Sequence, residues 1–243
     1  MKVLLTGVGK GFGRSYLEHL ASRNKFEILG ITRDLNDFAD KGLQFYQKRN
    51  VSLKSVDLSC TTSVSNFLEE NVKFLNAVDI LVNNAGQRFR SSVENLEYNE
   101  LELLFRVNVI TPMILSKSVL LGMQKRQMGR IINISSILGR TGLADLSGYS
   151  ATKGAIDSFT RSMAVEFAEY GITINAIAPG FCETSYANNF QKNKTLNKSV
   201  VNRIPMKRWG STDEINGALD FLISAKASYI TGQVINIDGG WSA

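Results

Sequence analysis

The chain has 243 residues, 44% of them hydrophobic, with a net charge of +6 and a pI near 9.3, enough chain to bury a sizeable core. Three prolines and no break in composition predict one domain over residues 1–243, and the basic residues are scattered, with mild clusters at 192–198 and 207–208, so nucleic acid is not an expected partner. Two cysteines, Cys60 and Cys182, and a single histidine, His19, exclude a disulfide framework and a His-rich site, so no metal is expected and a reducing, cytoplasmic location is.

In chain order, "MKVLLTG" enters a strand at residues 2–5 at once, which predicts no signal peptide. The strand runs into "TGVGKGFG", residues 6–13, and then a helix at 13–23. Gly7, Gly11 and Gly13 let the backbone turn tightly and approach a pyrophosphate, whose charge is favoured by free amides at the helix start. The second strand, 28–32, ends in "GITRD". A carboxylate at that point suits the hydroxyls of an adenosine ribose, whereas a cation suits a 2′-phosphate. Thr32 holds the strand end, Arg33 follows it and Lys10 lies in the glycine loop, so NADP(H) is expected over NAD(H); Asp34, one residue along, is the opposing feature.

A helix at 36–49 leads to a third strand at 52–56, followed by "SVDLS" with Asp57 and Leu58, and then a helix at 62–74. The fourth strand, 80–82, ends in "NNAG", Asn83 to Gly86. A long helix at 97–126 carries Asn108, and no apolar run is read as reaching the length of a membrane span, so no membrane partner is expected. The fifth strand, 130–134, continues through "IINISS" to Ser136. The helix at 149–170 opens with "GYSATKG", which stacks Tyr149 and Lys153 on one face at i and i+4. After a sixth strand at 173–177, the polar, Asn- and Lys-rich segment 183–210 reads as a substrate lid or an insertion; a helix at 212–224 and a strand at 233–237 complete the chain. Seven short β-branched strands alternating with amphipathic helices predict an α/β, three-layer Rossmann fold: a seven-stranded parallel, doubly wound sheet with helices on both faces.

The glycine loop, "NNAG", Asn108, Ser136 and the Tyr149/Lys153 pair, in this order, resemble the short-chain dehydrogenase/reductase family along essentially the whole chain. The resemblance implies catalytic roles for Asn108, Ser136, Tyr149 and Lys153. It implies cofactor contacts from Gly7, Gly9, Lys10, Gly11, Phe12, Gly13, Thr32 and Arg33; from Asp57, Leu58, Asn83, Ala85 and Gly86; and from Tyr149 and Lys153. In "PGFCET" it adds Pro179, Gly180, Cys182 and Thr184, the last beside the nicotinamide carboxamide. From the residues alone, Asp57 reads equally as a helix cap and Asn83 as a turn residue.

The chemistry stands without the family. A hydride delivered to a carbonyl carbon builds negative charge on the oxygen, where a proton donor and a fixed hydrogen-bond donor must converge. Tyr149 and Ser136 supply them. A free phenol titrates near pH 10, and a neighbouring ammonium lowers that value, so Lys153 tunes Tyr149 and has donors left for the nicotinamide ribose. By resemblance, Asn108 fixes a water that relays protons from Lys153. A non-catalytic NADP(H)-binding sensor on the same fold has little need for these four together. A sugar-nucleotide epimerase or dehydratase would carry an added carboxy-terminal domain, whereas this chain stops after "IDGGWSA".

The segments "GRIINISS", "GITINAIAPGFCET", "IPMKRWGSTDEI" and "YITGQVINIDGG" are similar to those of 3-oxoacyl-(acyl-carrier-protein) reductases, and also to sugar, polyol and steroid reductases. A small carbonyl or alcohol substrate is therefore expected. Carrier-protein docking needs basic residues near the site mouth; Arg126 fits one, but the position before "GIT" is Tyr170. Relatives usually form homotetramers through their fourth and fifth long helices, and Leu101, Leu104, Phe105, Ile156, Phe159 and Met163 serve that interface or pack on the sheet.

Overall fold

From Ile172 to Pro179 every residue is buried, the pattern of a strand covered on both faces. The inner strands largely share this burial and the two outermost strands are only partly buried in a computed structural model that describes residues 1–184 and 193–243. The strands are β1 (Lys2–Thr6), β2 (Glu27–Thr32), β3 (Val51–Ser55), β4 (Ile80–Asn83), β5 (Gly129–Ile134), β6 (Ile172–Pro179) and β7 (Val234–Ile237). All pair in parallel in the order β3-β2-β1-β4-β5-β6-β7. The chain winds outward from β1 to β3, returns to the far side of β1 and winds outward again. The reversal lies between β1 and β4, and loops leaving the carboxyl ends of those two strands open a crevice there.

Side chains of β1 alternate between two cores. Val3 and Leu5 pack with Tyr16, Leu17 and Leu20 of α1 (Gly11–Ala21) and with Leu219 and Leu222 of the last helix. Leu4 packs on the opposite face with Val64 and Phe67 of α3 (Thr61–Glu70), Leu115 and Val119 of α6 (Thr111–Arg126), and Met163 of α7 (Ser147–Phe167). α7 buries Lys153, Ile156, Asp157, Thr160, Met163 and Ala164, spaced three and four apart, so one stripe of that helix faces the sheet.

The helices differ from their expected spans where local geometry intervenes. The helix expected at 36–49 is a 3-10 turn, Leu35–Phe38, and a short α2 (Leu43–Gln47), parted at Gly42 with φ +71°. The one expected at 62–74 is α3 followed by α4 (Val72–Leu75). The long helix is α5 (Tyr98–Phe105), a π turn at Arg106–Ile110, and α6. Within the segment read as a lid, α8 (Lys194–Arg203) is formed, and residues 185–192 of that segment lie outside the described residues. The last helix, α9 (Thr212–Ile223), starts with a capping box between Ser211 and Glu214.

One expectation changes. The 29-residue helical stretch Tyr98–Arg126 is long and apolar enough to cross a membrane, contrary to the sequence reading; 56% of its most apolar window is buried inside the protein, as in a core helix. Of the six residues offered for a subunit contact or for packing on the sheet, Leu104, Ile156 and Met163 are at most 5% exposed and pack inward, and Tyr98, Ile110, Ile114, Leu121 and Val165 present apolar surface outward.

Fully buried Asn175, in β6, holds the entry to β7: its Nδ2 donates to Ile230 O at 2.8 Å and its Oδ1 accepts from Gln233 N at 3.0 Å. Asn175→Ala leaves both backbone groups unpaired, so chemical denaturation should register a loss of about 2–4 kcal/mol, from about 1–3 kcal/mol for each stranded group less local relaxation.

Candidate active site

The first wall of the crevice is the glycine loop. Gly7 and Gly11 adopt φ of +70° and +57°, and a Cβ on Gly13 would fall 2.0 Å from Gly7 O. The loop is therefore closed to side chains at these points. α1 begins without a side-chain cap from Lys10 and without an acid in its first turn, leaving its leading amides to face the crevice. This cradle fits a pyrophosphate. Asn84 pins it: its Nδ2 donates to Thr6 O at 3.0 Å and Gly7 O at 3.2 Å, while Thr6 Oγ1 accepts from the amides of Asn84 and Ala85, both at 3.0 Å.

Asn83 is placed differently from its neighbour. Its side chain turns away from the crevice into a buried network, donating to Asn133 Oδ1 at 2.9 Å and Ser116 Oγ at 3.2 Å, and Asn133 in turn donates to Thr160 Oγ1 at 2.9 Å. Asn84, Ala85 and Gly86 line the crevice, whereas Asn83 is not among its lining residues.

At the outer end, Gly9, Lys10, Gly11 and Phe12 of the loop face Thr32 and Arg33. Asp34 lines the crevice while acting as a cap, its Oδ1 accepting from Asn36 N at 2.8 Å. The carboxylate that sequence reading missed is Asp37. The 3-10 turn after β2 brings it back against the loop, 3.4 Å from Thr32 Oγ1 and where a Cβ on Gly9 would fall 2.0 Å from its Oδ2. Asp57 lines the crevice while accepting from Ser59 N at 2.9 Å and Ser59 Oγ at 2.6 Å; the Ser59 hydroxyl is the main cause holding its carboxyl below the usual carboxylate range. It thus caps a turn and faces the crevice at once. Leu58 lines the crevice beside it.

At the inner end three elements converge. β5 delivers Ser136, whose Oγ accepts from Leu138 N at 3.2 Å at the head of a 3-10 turn, Ile137–Gly139. The first turn of α7 carries Tyr149 and the next carries Lys153, which is 4% exposed. Lys153 Nζ donates to Ile134 O at 2.7 Å and lies 5.6 Å from the Tyr149 ring centroid. Burial pushes the ammonium pKa down to about 8, against an upward pull from the Asp157 charge. Ser136, Tyr149 and Lys153 all line the crevice.

The π turn aims Asn108 at the same place, as such widened turns often do at functional sites. Its Oδ1 accepts from Gln87 N and its Nδ2 donates to Gln87 O, both at 2.8 Å, and Nδ2 also donates to Thr152 Oγ1 at 3.1 Å. Asn108 sits behind the crevice wall at Gly86, where an added Cβ would be 3.4 Å from Asn108 Oδ1 and 3.8 Å from Lys153 Nζ.

β6 supplies the third wall. Pro179 and Gly180 line the crevice, and a Cβ on Gly180 would sit 2.7 Å from Asp238 Cβ. Cys182 also lines the crevice; its backbone pairs with Gly210, and burial pushes its thiol up to about 12. Thr184 reaches the mouth of the glycine loop. The crevice encloses about 640 Å³, and beyond Tyr149 its lining is Leu138, Leu143, Leu146, Phe181 and Trp209 with Arg88 and Arg90. Arg126, offered for carrier-protein docking, ends α6 just before β5, at the opposite end of the sheet from its own chain's crevice. There its guanidinium donates to Asn76 O and Val78 O and pairs with Asp79 at 3.6 Å.

A family model described as "Enoyl-(Acyl carrier protein) reductase" matches residues 7–242. The chain is 35% identical over 240 residues to the 3-oxoacyl-(acyl-carrier-protein) reductase FabG of Buchnera aphidicola subsp. Schizaphis graminum, covering 98% of this chain and 95% of that protein. Among solved structures, a gluconate 5-dehydrogenase from Burkholderia cenocepacia in complex with NADP and tartrate superposes with a TM-score of 0.90 at 31% identity, over 99% of this chain and 94% of that one. A 4-hydroxyisoleucine dehydrogenase complexed with NADH gives a TM-score of 0.91 at 27% identity, over 99% and 98%.

Proposed function

Because the chain belongs to the short-chain dehydrogenase/reductase family, we propose that it uses NADP(H) to reduce a ketone to a secondary alcohol or to run the reverse reaction. The observation that carries this reading is the convergence of Ser136, Tyr149 and Lys153 at one end of a crevice whose other end is the glycine loop. A bound nicotinamide dinucleotide supplies or accepts the hydride. The chain's own groups manage the oxygen. Tyr149 gives its phenolic proton to the carbonyl oxygen as charge builds there, and the Ser136 hydroxyl donates a hydrogen bond to the same oxygen. The Lys153 ammonium acidifies the phenol and is the route by which it is reprotonated; Asn108, on the other side of Gly86, fixes that route in place.

Arg33 and Lys10, at the outer end of the crevice, support a 2′-phosphate and hence NADP(H). Asp37 favours ribose hydroxyls and is the feature that supports NAD(H). For the ketone, the apolar wall of Leu138, Leu143, Leu146, Phe181 and Trp209 and the likeness to an acyl-carrier-protein reductase support a 3-oxoacyl thioester. A second reading, a keto-sugar or polyol bearing a carboxylate, is favoured by Arg88 and Arg90 in the same wall and by the likeness to a gluconate 5-dehydrogenase. The reading includes a cytoplasmic homotetramer, supported by the outward apolar residues Tyr98, Ile110, Ile114, Leu121 and Val165.

Tyr149→Phe should bind NADPH normally in a fluorescence titration and lose reduction by about 100-fold or more in a screen over 3-oxoacyl thioesters and keto-sugar acids. Near-normal turnover in that variant removes the mechanism. Arg33→Asp should raise the KM for NADPH by about tenfold or more, corresponding to roughly 1.4 kcal/mol of lost phosphate contact, with little change for NADH. Sedimentation at micromolar concentration should give a tetramer; a monomer overturns that part of the reading.

A further inference from the structure

Asp157 follows Lys153 by one helical turn on α7 and shares its inward face. It is 2% exposed, far from the surface position usual for an aspartate. Its Oδ1 accepts from Ser135 Oγ at 2.5 Å, and Ser135 immediately precedes Ser136. The same hydroxyl lies 3.4 Å from Lys153 O. Oδ2 is buried and has no hydrogen-bond partner among the described residues. The turn that Ser136 opens lies directly on it: a Cβ on Gly139 would fall 2.8 Å from Asp157 Oδ2 and 3.1 Å from the Lys153 carbonyl carbon. A glycine here lets that turn rest on the helix.

A buried carboxylate left without full hydrogen bonding is costly, and such groups persist where a charge is needed. The charged groups that face Asp157 are Lys153 and Arg161 on its own helix and Arg140 from the segment after Gly139, whose Nε is 3.9 Å from Oδ2. Lys153, for its part, has Ile134 O as its hydrogen-bond acceptor and Tyr149 alongside, and Asp157 supplies the opposing negative charge.

We propose that Asp157 is a positioning residue of the reaction: its carboxylate ties the segment carrying Ser136 to the helix carrying Lys153 and supplies the negative charge that holds the Lys153 ammonium in its buried place. The proposal rests on the reading of Tyr149 and Lys153 as the proton-donating pair. Burial drives the Asp157 carboxyl upward, while the Ser135 hydroxyl and the charges of Arg140, Arg161 and Lys153 work to keep it ionised. A neutral side chain at 157 no longer favours the ammonium, so Lys153 loses its proton at lower pH. The phenol, relieved of a nearby negative charge, also ionises at lower pH.

The first measurement, a titration, needs neither substrate nor cofactor. Protein carrying 13C at the lysine ε position is titrated by NMR, and the Lys153 resonance is identified by its loss in Lys153→Arg. In Asp157→Asn its midpoint should fall by about one pH unit, a tenfold change in the ionisation constant. A midpoint equal to that of the unaltered protein overturns the proposal. If Asp157→Asn does not fold, the unaltered protein still decides the matter. Its Lys153 resonance should show a second, acid inflection as Asp157 protonates, and a single inflection overturns the proposal. The alkaline limb of kcat/KM for NADPH oxidation with acetoacetyl-coenzyme A should move down with the midpoint, which a merely structural role would not produce. If the unaltered enzyme oxidises NADPH with no ketone, the functional reading falls while the titration stands. If it turns over normally and the titration shows no change, only the role of Asp157 falls.

Discussion

The site is organised around a buried ammonium. Lys153 reaches from α7 to the last carbonyl of β5, and a charge in that position is tolerated only with a hydrogen-bond acceptor and a counter-charge at hand. Ile134 O provides the first and Asp157 the second. This single requirement fixes where the helix must lie against the strand end. Once it is met, Tyr149 one turn earlier and Ser136 two residues beyond Ile134 are brought to the same end of the crevice. The π turn then closes the arrangement, since Asn108 joins α7 through Thr152 and the loop after β4 through the backbone of Gln87.

Behind the crevice, polar side chains lock the sheet into register. Asn83, Asn133 and Thr160 form a chain of hydrogen bonds from β4 through β5 to α7 in the interior. An apolar substitute would pack there, but it would not distinguish one register of β4 on β5 from another. The positions of Ala85 and Gly86 relative to Ser135 and Ser136 depend on that register. The crevice is thus backed by a polar layer that lies outside its lining.

Much of this was legible in the sequence. Short runs rich in β-branched residues, such as "RIINI" and "ITINAI", mark the strands, and the glycine loop was placed by its position between a strand and a helix. The spacing of Tyr149 and Lys153 puts them on one helical face, a weak signal alone, and the glycine loop, Asn108 and Ser136 around them singled the pair out. What could not be read was which of two adjacent asparagines turns inward. Asn83 and Asn84 are chemically identical, and only the pleat at the end of β4 decides that the first enters the core and the second grips Thr6 and Gly7. Asp37 and Asp157 escaped for a related reason. Asp37 reaches the crevice through a 3-10 turn in place of the expected helix, and Asp157 has the sequence surroundings of any solvated aspartate until the turn at Gly139 is laid over it.

The pairing of Cys182 with Gly210 joins the two ends of a long excursion from the sheet, with Glu183 N bonded to Gly210 O at 2.8 Å and Gly210 N to Phe181 O at 2.9 Å. Departure and return are thereby stapled at one point on the rim. The entropic penalty for closing such a loop rises only slowly with its length, so a change in that length costs the closure little. A chain built this way can vary the Trp209 side of its crevice while the end that holds Ser136, Tyr149 and Lys153 stays in place.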